Sequence, residues 1–329
     1  MSVNYSASLS DYPNKGLVGD TEIFDNDEVF EVNIKKFADL VNQSKHIIIH
    51  TGAGISTSIG IPDFRGPNGV WTKEKKGEKP SFNKKFTEVL PSPTHRALYT
   101  MEKEGILKHL ITQNVDGLHF RFGFPRNRLS ILHGDMFIEK CAKCHQSYYR
   151  LRDVVPTIGL KKTQFKCIKS ECGGDLIDSV LDWEHDLPDP DYSTAKKHSS
   201  LADLHICLGT SLQIFPAADF PMKGVAKTRK RKLNATTTKS PTNLVIVNLQ
   251  KTKLDKYCTI RFFRRVDEVM EKLCSLLNIE IEPLESFTEY NETLERLTPK
   301  PMINLKSRHT LANEKCLHHQ MMIHPDDRE

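Results

Sequence analysis

The sequence predicts an α/β fold, a doubly wound parallel sheet carrying a smaller inserted metal module, and three observations predict it. Apolar, β-prone runs at Ile47 to Ile49, Leu110 to Ile111, Leu204 to Leu208 and Leu244 to Val247 each give way at their carboxyl ends to small or polar residues. The first run passes at once into Thr51, Gly52, Ala53 and Gly54, a glycine-punctuated turn. Two close cysteine pairs, Cys141 with Cys144 and Cys167 with Cys172, interrupt the αβ pattern between the second and third of these runs. In an open parallel sheet of the Rossmann type, ligands bind beyond the carboxyl ends of the strands. Gln113, Asn114, Gly209, Ser211 and Asn248 are therefore expected to converge there with the glycine turn.

The elements follow in order. Residues 1–27 are polar and read as an N-terminal arm, extended or disordered. From Glu28, Val29, Val32, Phe37, Leu40 and Val41 recur at helical spacing and read as core. His46 to Trp71 reads as strand, tight turn and short helix, the helix cut off by Gly60 and Pro62. Residues 72–95 are lysine-rich and broken by prolines, a solvated loop or a contact surface for nucleosomal DNA or acidic protein. A helix over His95 to Leu107 and a strand over Leu107 to Thr112 follow. Residues 28–135 and 177–282 form one discontinuous domain around the inserted module at 136–176. Val266 to Leu277 closes it as a helix. Residues 283–329, polar and proline-containing, are expected to be a disordered tail, whose Cys316, His318, His319 and His324 have no sign of a folded cage around them.

Composition excludes several classes. No apolar run in the 329 residues approaches the ~20 needed to span a bilayer. The N-terminus lacks the basic start and apolar core of a secretion signal, so an intracellular protein is expected. Of the eight cysteines, four are paired and four (Cys207, Cys258, Cys274, Cys316) are scattered, a distribution that fits metal ligation in a reducing compartment. The net charge of +5 permits an acidic partner and requires none. The basic run at residues 227–242 fits either nuclear import or nucleic-acid contact, or a plain solvated insertion.

The chemistry is concentrated in three places. Glycines at a strand-to-helix turn let the backbone approach a bound group, and free N–H groups favour an anion, with a pyrophosphate as the natural guest. The dinucleotide fingerprint would place a third glycine at Thr57 and an acidic residue ~20 positions on, and neither is present. A hydride-transfer dehydrogenase is a poor fit, and Asp63, Phe64 and Arg65 instead set a charged pair and a ring near the reactive end. Cys141-x2-Cys144 and Cys167-x4-Cys172 have the spacing of a tetrahedral thiolate zinc site with no open position, hence a structural one, with His145 as a rival ligand. His133, after an apolar pair, is suited to general-base work near neutral pH.

GAGIS (from Gly52), GIPDFR (from Gly60), TQNVDGLH (Thr112 to His119), LHG (Leu132 to Gly134), the four cysteines and GTS (Gly209 to Ser211), in that order, resemble the sirtuin family of NAD-dependent protein deacylases. The opening MSVNYSASLS, the GVW ending at Trp71 and LDWEHDLP (Leu181 to Pro188) are similar to its nuclear class IV branch. The resemblance implies a Rossmann-type domain with an inserted zinc ribbon, and NAD as a consumed co-substrate. It also implies that the acyl oxygen of a modified lysine attacks the ribose carbon and displaces nicotinamide from it. His133 then acts as general base toward a ribose hydroxyl, and the acyl group leaves on ADP-ribose. Motif by motif, Ala53, Thr57, Phe64, Arg65 and Trp71 should line the dinucleotide, Asp63 should meet the nicotinamide amide, and Gln113 and Asn114 its ribose. Gly209, Ser211, Asn248, Gln250 and Val266 should hold the adenosine side, and Trp183 should border the acyl-lysine channel. Implied substrates are acetyl and long-chain acyl groups on core histone tails, in the nucleus on chromatin, with DNA contact through the basic loops. Mono-ADP-ribosyl transfer from the same site and a non-catalytic zinc and DNA-binding module are the rival functions. The oligomeric state is left open.

Overall fold

Six parallel strands form the central sheet of the computed structural model, in the order β10-β9-β8-β1-β2-β3. They are β1 (Ile47–Thr51), β2 (Leu107–Thr112), β3 (Leu129–Ile131), β8 (Leu204–Leu208), β9 (Asn243–Val247) and β10 (Ile260–Phe262). The structure describes residues 9–80, 84–150, 154–169, 171–222, 225 and 242–287, and the backbone of 302–304. Every strand pairing in this sheet is parallel.

The sheet is covered on both faces, which explains why its strands read as continuous apolar runs. Along β1, Ile47 and Ile49 join the larger core with α1 (Asp27–Gln43), α3 (Pro93–Lys103) and α6 (Val266–Leu276). Ile48 turns to the opposite face, beneath Ala195 of α5 (Asp191–Leu201) and Phe220. Leu110 and Ile111 of β2 divide in the same way.

Local signals set the helix ends. The Asn26 side chain accepts from Val29 N–H at 2.8 Å and starts α1. Its buried stripe is Phe30, Ile34, Phe37, Ala38 and Val41. This corrects the expected face, since Val29 and Val32 are exposed. Ser92 caps α3 with Pro93 in its first turn, so the helix starts two residues before His95 and ends at Lys103, ahead of the left-handed Gly105.

The second sheet has the order β11-β5-β4-β7-β6 and is antiparallel throughout. It comprises β4 (Ile138–Cys141), β5 (Ser147–Arg150), β6 (Lys162–Lys166), β7 (Asp175–Asp178) and β11 (Met302–Asn304). The disordered-tail expectation is corrected at two points. Phe287 is buried against Phe122 with ring centroids 4.8 Å apart, and β11 pairs with β5. The run 227–241, Cys316 and the tail histidines lie outside the described residues, as do residues 81–83 of the lysine-rich stretch. Within that stretch α2 (Val70–Lys75) is helical, and Phe86 is buried in the core rather than solvated. No described helix is long and apolar enough to cross a membrane.

Candidate active site and zinc centre

The turn after β1 differs from the expected short helix. It consists of two single 3₁₀ turns, Ala53–Ile55 and Thr57–Ile59, and the second ends at Gly60 with φ +93°. A left-handed residue followed two positions later by Pro62 stops propagation into an α-helix. The glycines also have a packing role that sequence reasoning missed. A Cβ on Gly54 would lie 2.7 Å from Gly209 Cα, because the turn after β8 rests directly on the turn after β1. Gly54 N–H donates to the Gly209 carbonyl at 2.9 Å across this contact.

A cavity of about 580 Å³ opens at the carboxyl ends of the strands, as expected for this topology. Ala53, Asp63, Phe64, Arg65, Trp71, Gln113, Asn114, His133, Trp183, Gly209, Ser211, Asn248 and Gln250 all line it. Thr57 and Val266 line an adjoining cavity of about 870 Å³, which shares Gly54, Asp63, Gly209, Asn248 and Gln250 with the first. Every site residue anticipated outside the cysteine set therefore falls on one of two contiguous spaces.

His133 Nδ1 lies 3.1 Å from the Gln113 carbonyl, which can only accept, so Nδ1 carries the hydrogen and Nε2 is left with its lone pair. Burial, with the Arg65 cation adding to it, lowers the imidazole pKa to about 4, against the pull of the Gln113 bond. The neutral base is the form present at neutral pH. Beside it, Gln113 Nε2 donates to Thr210 Oγ1 at 3.2 Å. The buried Asn114 lies within 3.5 Å of Ser56 Oγ, which itself donates to Asp116 at 2.8 Å. Asp116 lies in the same loop as Gln113. Its carboxylate also accepts Leu118 N–H, and it stiffens the loop that presents Gln113 and Asn114.

The loop from Asp63 to Trp71 folds around its own acid. Asp63 accepts Gly66 N–H at 2.9 Å, and burial raises its pKa above the usual carboxylate value. Arg65 is buried, stacks over Trp71 at 4.4 Å, and has its pKa lowered by burial to about 10, so it stays cationic at pH 7. Its Nε donates to the Lys15 carbonyl at 2.9 Å.

The N-terminal arm is the largest feature absent from the expected site. It packs against the loops around the cavity, with Gly19 N–H bonded to the Arg65 carbonyl and the Gln250 amide donating to the Asp20 carbonyl at 2.6 Å. Leu9 lines the cavity itself. Asn248 and Gln250 thus hold backbone, Asn248 Nδ2 donating to the Gln250 carbonyl at 2.9 Å.

The four cysteines meet at one end of the second sheet. Their sulfurs all lie within 4.8 Å of one another, with 3.6 Å between Cys141 and Cys172 and between Cys144 and Cys167. Lys143 and Cys144 N–H groups point at Cys141 Sγ at 3.4 Å, and Tyr148 Oη lies 3.0 Å from Cys167 Sγ. Amide and hydroxyl hydrogens directed at sulfur favour thiolates, and this donor set fits a structural zinc. His145, the rival ligand, stands outside the cluster.

The chain matches the family described as the Sir2 family over residues 52–88 and 79–216. It is 46% identical over 288 residues to the NAD-dependent protein deacetylase Sirt6 of Drosophila melanogaster, covering 85% of this chain and 86% of that protein. It is 46% identical over 285 residues to the NAD-dependent protein deacetylase SRT1 of Arabidopsis thaliana, covering 86% of this chain and 57% of that longer protein. A solved Sir2 structure with a p53 peptide and NAD+ superposes with a TM-score of 0.55 at 29% identity, over 75% of this chain and 99% of that one. Another, with a deacetylated p53 peptide and 3′-O-acetyl ADP ribose, gives 0.58 at 30% identity, over 75% and 100%. Motif order, cavity, cysteine cluster and these matches agree, and the chain belongs to the Sir2 family, the sirtuins.

Proposed function

We propose that this sirtuin is an NAD-dependent protein-lysine deacylase whose general base is His133. The observation that carries the reading is the imidazole on the cavity wall, held in one tautomer by Gln113, with a bare Nε2. NAD supplies an activated ribose carbon with nicotinamide as its leaving group. Asp63, Phe64 and Arg65 enclose the nicotinamide end, and Gln113 and Asn114 orient the ribose. Nε2 of His133 accepts a proton from a ribose hydroxyl as that oxygen becomes the nucleophile toward the acyl carbon. Thr57 and Val266, with Gly209, Ser211, Asn248 and Gln250, bound the adenosine side.

The cavity wall also carries Ile61, Phe86, Val115, Val180, Leu187 and Ile214, an apolar lining that supports long acyl chains as well as acetyl. Trp183 stands in the same wall. Core histone tails in the nucleus are the proposed substrates, with chromatin contact through the lysine-rich stretch after Trp71 and the basic run 227–242. Both are positively charged and would meet DNA phosphates.

The test is product identification by mass spectrometry, with wild type and His133→Tyr incubated with NAD and histone peptides bearing acetyl- or myristoyl-lysine. Wild type should give free lysine and acyl-ADP-ribose, with the variant reduced by a factor on the order of 10²–10⁴. ADP-ribosylated protein without deacylation would replace this reading with the transferase, and absence of NAD consumption would replace it with the binding module.

A further inference from the structure

The N-terminal arm makes a set of contacts for which the chemistry above has no use. Ser10 donates to the Asp182 carboxylate from its backbone N–H at 3.1 Å and from its hydroxyl at 2.6 Å, across 172 residues of sequence. Two residues on, the Tyr12 ring stacks on Trp183, with centroids 4.6 Å apart and planes 14° from parallel. Trp183 packs in turn on Trp71 at 5.3 Å, and Trp71 on Phe64 at 4.5 Å. The Arg65 guanidinium lies over Trp71 at 4.4 Å. A column of rings therefore runs from the arm, through the loop that carries Trp183, to the loop that carries Asp63 and Arg65.

Trp183 is only half-buried and sits on a segment without regular structure between β7 and α5. An indole so placed has rotamer freedom unless a neighbour removes it. Trp71 limits it, and Tyr12 adds a second ring, on a segment that Ser10 and Asp182 fix to the same loop. A simple tether of the chain terminus would need hydrogen bonds but no parallel ring stack on a residue of the cavity wall.

We infer that Tyr12 is a specificity-determining positioning residue for the acyl-lysine subsite, backing Trp183 so that this wall is rigid when the acyl chain enters. The inference rests on the deacylase reading. It predicts that the arm acts on the peptide substrate more than on NAD, and on long acyl chains more than on acetyl, because the longer chain draws more of its contact area from the wall.

The experiment is steady-state kinetics of the full chain, comparing wild type, Tyr12→Ala and Tyr12→Phe on acetyl- and myristoyl-lysine peptides at saturating NAD and the reverse. Tyr12→Ala should raise the KM for the myristoyl peptide roughly two- to tenfold, the size of a stacked aromatic pair. It should leave kcat and the KM for NAD within about twofold, and Tyr12→Phe should restore the wild-type value. The chain has two tryptophans, Trp71 and Trp183, so intrinsic fluorescence reports the stack directly. Tyr12→Ala should red-shift the emission and Tyr12→Phe should not. An unchanged peptide KM in Tyr12→Ala, an equal loss in Tyr12→Phe, or a parallel rise in the KM for NAD would each overturn the role while leaving the deacylase reading intact. A wild-type enzyme without turnover would overturn both.

Discussion

Burial in the cleft and the Arg65 cation hold the His133 imidazole at a pKa of about 4, well below the usual histidine value near 6.5. A base works only when unprotonated, so lowering its pKa extends the active form toward acid. The acid limb of kcat/KM is expected below pH 5, read from short assays across pH 4–8, and an inflection at 6.5 would show that the ring is solvated. Asp135, two residues on, has the opposite problem. It is buried, and its carboxylate accepts Phe137 N–H at 2.8 Å. Burial raises its carboxyl to about 7, with the Asp116 charge adding to it and Arg121 and Arg126 opposing. Between the unfolded value near 4 and this folded value the native state holds the extra proton, so stability falls as pH rises through that window. Asp135→Asn keeps the acceptor and removes the charge. It should stabilise the protein by on the order of 4 kcal/mol at pH 8 and by almost nothing at pH 4, measured by urea unfolding. His133 was legible because its motif is contiguous. The burial of Asp135 was not, because it is produced by Ser179 of the following segment and by Gly117, whose missing Cβ leaves room for the carboxylate.

At the scale of the element, the cysteine module is held by two knuckles whose ligands are local in sequence and whose strands are not. The spacing of Cys141, Cys144, Cys167 and Cys172 sufficed to predict four sulfurs around one ion, because a two-to-four residue gap brings paired sulfurs to a single point. Metal analysis should find about one zinc per chain. Cys141→Ser should lose it and unfold the second sheet, since structural zinc contributes on the order of 10 kcal/mol in small modules. Loss of zinc with the antiparallel sheet intact by hydrogen exchange would show that Tyr148 and Leu176 suffice as its core. Four strands of the main sheet were equally legible, as apolar runs with polar carboxyl ends, whereas the three-residue edge strands β3 and β10 were too short to show a pattern. The arm was not. Its bonds join residues such as Leu17 and Gln213, 196 apart, and many use backbone atoms that carry no sequence signature. The helix expected after Gly54 failed for a local reason, the left-handed Gly60 ahead of Pro62.

Across the whole molecule, histidines occupy buried places in and against the main sheet. His50 Nε2 and His205 Nδ1 lie 3.0 Å apart on β1 and β8, and His109 of β2 stacks on His198 of α5 at 4.3 Å. His95 and His119 meet at 4.8 Å on the other face. His50, His95, His109, His119 and His205 are all buried, and burial lowers the pKa of each, to about 3 for His95 and His205. Below about 6.5 the unfolded chain takes up protons that the native state refuses, so stability falls as pH drops through that window. The unfolding free energy should decrease by several kcal/mol between pH 7 and pH 5, outweighing the opposite trend of Asp135. A flat urea midpoint over that range would contradict buried neutral rings.

The same sheet that buries these rings brings the glycine turn, His133 and the ends of β8 and β9 around one cavity, where the proposed function couples NAD cleavage to lysine deacylation. The direct measurement is the ratio of nicotinamide released to lysine deacylated on an acyl-lysine peptide, followed through many turnovers by chromatography. One nicotinamide is expected for each lysine freed, with neither product formed when NAD or the acyl peptide is left out. Nicotinamide release that continues without the acyl peptide, or lysine freed without nicotinamide, would contradict it.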